Sequence, residues 1–133
     1  MNRARQFLEY NSQGWIGVDL DGTLAHYDSG YSSHFMVGPP IPAMLARVKD
    51  WLAQGKDVRI FTARVAPPHS EEVIARQRGI IEDWCLEHLG TVLPITATKD
   101  YEMLELWDDR CVTVEKNTGR CLTLLRGEIE GLQ

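Results

Sequence analysis

The sequence predicts an α/β domain, a three-layer Rossmann-like sandwich around a mainly parallel sheet with no cap domain, and three observations predict it. Short apolar runs alternate with amphipathic segments of ten or more residues, long enough to cross between parallel strands. The ends of the first, second and fourth runs carry Asp19 and Asp21, Thr62, and Asp108 and Asp109. In an open parallel sheet all of these reach one rim, where binding crevices form. The 133 residues suffice for one ordinary core and leave little for a second, so 1–133 is read as a single domain.

After a polar N-terminal arm, GWIGVDL reads as a buried strand, because its apolar residues are continuous and stop at the turn signal DGT. Residues His26 to Pro40, HYDSGYSSHFMVGPP, are rich in Gly, Ser, Pro and aromatics and lack a helical period; they are read as a flap, either a loop or a small hairpin. From Ile41 to Gln54, Met44, Leu45, Val48, Trp51 and Leu52 recur at helical spacing, with Pro42 suited to the first turn and Gly55 to the stop. DVRIFTA is the second strand. A long helix from Ser70 to Leu89 has Ser70 as its cap, Glu71 and Glu72 at its positive end and Gly90 as its terminator. Val73, Ile74, Ile81, Trp84 and Cys85 form its buried stripe. TVLPIT, MLELW and CVTVE read as further strands, and CLTLL as a last one after the KNTG turn.

Composition narrows the function. The chain is 44% apolar and 25% charged, ordinary for a globular protein, and no stretch approaches the ~20 apolar residues of a membrane span. MNRARQFLEY lacks the apolar segment of a secretory leader. Cys85, Cys111 and Cys121 form no CxxC pair and are odd in number, which suits reduced packing residues in a cytoplasmic protein. The net charge of −5 argues against broad nucleic-acid binding. An anionic substrate therefore needs a local cation.

The two acidic pairs demand an explanation. Two unit charges about 4 Å apart at an effective dielectric near 20 repel by about 4 kcal/mol, and a few such terms rival the roughly 5–15 kcal/mol that holds a domain together. The cluster must be spread out, partly protonated or metal-bound. All-oxygen ligation selects a hard ion, and Mg2+ suits a few carboxylates, waters and a substrate phosphate. Beside such an ion Asp19 can attack phosphorus, and Asp21 can serve as general acid and then as base. Thr62 and Lys99 can hold the transferring phosphoryl oxygens by a hydroxyl and a positive charge.

These segments together resemble the haloacid dehalogenase superfamily. DLDGTLA is similar to its first motif, IFTA with Thr62 to its second, Lys99 in TATKD to its third and LELWDDR to its acidic fourth, in order across residues 16 to 110. The resemblance implies that Asp19 is the phosphorylated nucleophile, that Asp21 is the acid/base and lends its backbone carbonyl to Mg2+, and that Asp108 ligates the metal directly with Asp109 acting through water or supporting it. Asp at both first-motif positions implies a phosphatase more than a dehalogenase.

Neither insertion point has room for a cap, so the sequence resembles the capless members, whose open site admits a bulky substrate or is closed by a second subunit, here with only the flap as lid. Lys99 precedes Asp108 by nine residues, too few for a full helix, and Asp100 follows it where a proline is frequent in similar sequences. Arg64 is read either as a ligand for substrate phosphate or carboxylate or as a salt-bridge partner. Arg110 is read as pairing with a nearby carboxylate, and His26, Tyr27, His34 and Phe35 as flap residues that touch the leaving group or pin the flap. The expected function is hydrolysis of a small phosphomonoester with Mg2+. A nucleotide or polynucleotide end as substrate, and a non-catalytic phosphate- or metal-binding module, are the alternatives.

Overall fold

The structure is a computed structural model that describes residues 13–28 and 35–123. Its elements are β1 (Trp15–Asp19), α1 (Pro42–Ala53), β2 (Asp57–Phe61), a short 3-10 turn (Ala63–Val65), α2 (Glu71–Leu89), β3 (Ile95–Thr96) and β4 (Met103–Trp107). The four strands form one sheet in the order β3-β2-β1-β4, and every pairing is parallel. This is an α/β, Rossmann-like arrangement. No helix among the described residues is long and apolar enough to cross a membrane.

Alternation along the strands decides the two faces. Ile16, Val18, Val58 and Ile60 point one way and join Met44 and Val48 of α1 and Ile81, Trp84 and Cys85 of α2 in one buried cluster. Both helices therefore pack on the same side. The steps from β1 to β2 and from β2 to β3 run in one direction, and right-handed crossovers in one direction stack their helices on one face. The helix ends follow the local chemistry: Pro42 opens α1, the Ser70 hydroxyl accepts from the Val73 amide, and Gly90 closes α2 in the left-handed conformation.

Among the described residues the opposite face is crossed by no helix but by the link 97–102. From the top of β3 to the bottom of β4 it spans three strand spacings and about four residues of descent, roughly 20 Å in all. It runs over Trp15, whose indole nitrogen donates to Asp100 Oδ1 at 2.8 Å, while the Trp15 amide donates to the Glu102 carbonyl at 2.9 Å. The Arg59 guanidinium lies 4.7 Å from the Trp15 ring centroid, which completes the cover. The indole bond and Arg59 hold the Asp100 carboxyl below the usual carboxylate range.

Two expected strands differ in the structure. TVLPIT contributes only Ile95–Thr96, because Pro94 has no amide to give and its carbonyl serves the Ile60 amide. CVTVE forms no strand: its alternating Val112 and Val114 are more than half exposed, and Val114 makes a single antiparallel bridge to Cys121. Leu124 and Leu125 of CLTLL lie outside the described residues, as do 29–34 of the flap, His34 included. The base of the flap closes through an antiparallel bridge between Ala25 and Pro40, and Trp84 Nε1 fixes its second limb at the Gly38 carbonyl.

A methyl group at Gly14 would overlap the Glu102 carbonyl and press on the Leu104 side chain, whereas one at Gly79 on the outside of α2 meets nothing. Urea titration should find Gly14→Ala destabilised by about 1–3 kcal/mol through overpacking. Gly79→Ala should gain about 0.8–1 kcal/mol from helix propensity.

Candidate active site

The register between β1 and β4 builds the site. Val18 pairs with Trp107, so the next residues, Asp19 and Asp108, leave the sheet side by side at its carboxyl edge. Asp19, Asp108 and Asp109 offer carboxylate oxygens that all lie within 4.8 Å of one another. The chain then turns sharply: the Gly22 amide donates to the Ala25 carbonyl at 2.8 Å, with Gly22 at φ +92°. A Cβ at Gly22 would stand 2.7 Å from Asp109 Oδ2 and push that carboxyl aside, but it is the positive φ that calls for glycine here.

Thr23, almost fully buried, knits the two acidic segments together. Its hydroxyl oxygen lies 3.3 Å from Asp19 Oδ2 and 3.0 Å from Asp109 Oδ1, and it accepts from the Asp109 amide at 2.9 Å. The Arg110 amide donates to Asp108 Oδ1 at 2.8 Å. These bonds spread the charge without cancelling it. Burial, and after it the neighbouring Asp108 and Asp109 carboxyls, push the Asp19 carboxyl up from 3.8 to about 7, with the Thr23 hydroxyl pulling the other way.

Asp21 sits on the same cleft under a different constraint. Arg64 Nε donates to its Oδ2 at 2.7 Å and Nη2 to its Oδ1 at 2.9 Å, a bidentate ion pair whose side chains are 12% and 21% exposed. Thr62, 3% exposed, accepts the Arg64 amide through its hydroxyl at 3.1 Å and so caps the 3-10 turn. The cleft holds about 470 Å³ and is lined by Asp19, Asp21, Thr62, Arg64, Asp108, Asp109 and Arg110, with Gly22, Tyr27, Phe61 and Ala63 completing it.

The structure thus brings together every acidic residue singled out in the sequence, with Thr62 and Arg64. It does not bring Lys99. That residue is exposed, stands next to Asp100 on the link over the far face, and is not among the residues that line the cleft. Arg64 is turned to Asp21 within the cleft. Thr23, Gln77 and the cleft-facing Arg110 were not assigned site roles from the sequence. Thr23 carried a signal in the DGT turn, whereas Gln77 sits 2% exposed among the apolar positions of α2 and carried none.

No family model matches the chain, and no curated protein matches it. Among solved structures, a conserved protein from Bacteroides thetaiotaomicron is similar at 16% identity with a TM-score of 0.48, over 74% of this chain and 78% of that one.

The raised Asp19 carboxyl has a sign that stability can report. Between its ordinary value of 3.8 and about 7 the native state holds a proton that the unfolded chain releases, so this group lowers stability as pH rises through that window. In EDTA, Tm should therefore fall from about pH 5 to about pH 7.5 more steeply for the wild type than for Asp19→Asn. Mg2+ should raise the wild-type Tm more at the upper pH than at the lower, read by differential scanning fluorimetry.

Proposed function

We propose that the protein is a Mg2+-dependent phosphomonoester hydrolase that carries the phosphoryl group on Asp19. The observation that supports this most is the convergence of Asp19, Asp108 and Asp109 within 4.8 Å beside Asp21 and Thr62 in one cleft. Three oxygen donors of one charge fit a hard divalent cation, and Asp19, Asp108 and Asp109 would hold it, with the Asp21 carbonyl implied by the family resemblance. Bound there, Mg2+ offsets the repulsion between the carboxylates and an anionic phosphate.

The chain's own groups divide the work. An Asp19 oxygen attacks phosphorus, the bond from phosphorus to the ester oxygen breaks, and Asp21 passes a proton to the departing oxygen. In the second half Asp21 takes a proton from water, the water oxygen attacks phosphorus, and the bond to Asp19 breaks to release phosphate. The Thr62 oxygen already accepts the Arg64 amide, which leaves its own hydrogen for a phosphoryl oxygen. With Lys99 away from the cleft, the positive charge on the phosphate falls to Arg110, which lines it.

A cleft of about 470 Å³ suits a small phosphorylated metabolite. The Tyr27 ring, 61% exposed and part of the lining, favours a planar leaving group, which makes a nucleotide the second reading. Three free cysteines suit a cytoplasmic setting.

Asp19→Asn should lower kcat on p-nitrophenyl phosphate by roughly 10³-fold or more with an unchanged circular dichroism spectrum. EDTA should abolish wild-type turnover and Mg2+ restore it. Full activity of either the variant or the chelated enzyme would sink the reading. Arg110→Ala should raise KM severalfold, and Lys99→Ala should leave kinetics near wild type; the reverse pattern would return the phosphate cation to Lys99.

A further inference from the structure

Arg64 makes more directed bonds than a charge partner needs. Besides its two bonds to Asp21, Nη1 donates to Gln77 Oε1 of α2 at 3.1 Å and Nη2 donates to the Met36 carbonyl on the second limb of the flap at 2.9 Å. Its own amide is fixed on Thr62. A planar guanidinium bonded in these directions has one orientation, and a carboxylate held by two of its prongs has one orientation too. Gln77 is buried at 2% exposure in a stripe otherwise suited to apolar packing, and its amide is aimed at Arg64.

We propose that Arg64 is the positioning residue for Asp21, fixing the carboxyl that exchanges protons with the reacting oxygens and tying its place to the flap and to α2. The inference rests on the hydrolase reading above. When the ester oxygen leaves, Asp21 gives up its proton and becomes a carboxylate, and the fork of Arg64 holds that carboxylate where it next takes a proton from water. The same nitrogen that grips Asp21 Oδ1 grips Met36, so the flap limb and the acid/base share one anchor. Arg64 needs no contact with the phosphate in this role.

Leaving-group dependence separates positioning from phosphate binding. An alkyl ester such as glycerol phosphate must receive a proton as it departs, whereas p-nitrophenolate departs without one. For Arg64→Gln, kcat/KM on the alkyl ester should fall about 10²-fold while that on p-nitrophenyl phosphate falls less than about threefold. Arg64→Lys, which keeps the charge but not the fork, should recover only part of the alkyl loss. Gln77→Leu, which leaves Arg64 and Asp21 in place but removes the support at Nη1, should show the same asymmetry at smaller size even if Arg64→Gln folds poorly. Equal losses on both esters, or a rise in KM alone, would overturn the proposal and make Arg64 a phosphate ligand. A wild type that turns over neither ester would overturn the hydrolase reading itself, and this inference with it.

Discussion

Strand register is the constraint on which the site depends. β1 and β4 are parallel neighbours, and the pairing of Val18 with Trp107 delivers Asp19 and Asp108 to adjacent positions at the sheet's edge. A slip of one residue would turn one of those side chains toward the other face. The packing of Trp107 against Trp51, at 5.2 Å between ring centroids, and the cation–π contact from Arg47 to Trp107 hold β4 against α1 in that register. Apolar and aromatic burial thus holds together carboxyls that would otherwise move apart.

The two aspartates of the first turn have opposite environments in spite of their spacing. Asp19 faces other carboxyls and is pushed up to about 7, whereas Asp21 is gripped by a guanidinium. Two chemically identical side chains are thereby given different behaviour by what stands beside them. On the proposed hydrolase reading, the attacking carboxyl would need relief from its neighbours' charge and the proton carrier a fixed direction.

Most of this was legible in the sequence because local rules and packing agreed. The caps of α2 at Ser70 and Gly90, the buried run of β1 and the acidic ends of β1 and β4 each follow from residue type and position. Lys99 is where motif order says least about position: the order is one-dimensional, and nothing in TATKD says that the chain turns down over the far face after Thr96. That direction depends on Trp15 and Arg59, which lie far away in sequence and catch Asp100. CVTVE alternates as a strand should, yet alternation needs a neighbour to pair with, and among the described residues Val114 finds only one bridge.

The link 97–102 also acts as a ruler. From Thr96 to Met103 the fully extended chain reaches about 25 Å, and the turn in which the Met103 amide returns to the Asp100 carbonyl takes up much of the slack over the roughly 20 Å it must cover. β4 is therefore tethered at a nearly fixed length from β3, and with it the height at which Asp108 emerges beside Asp19. Natural variation in this chain has little freedom to shorten that tether.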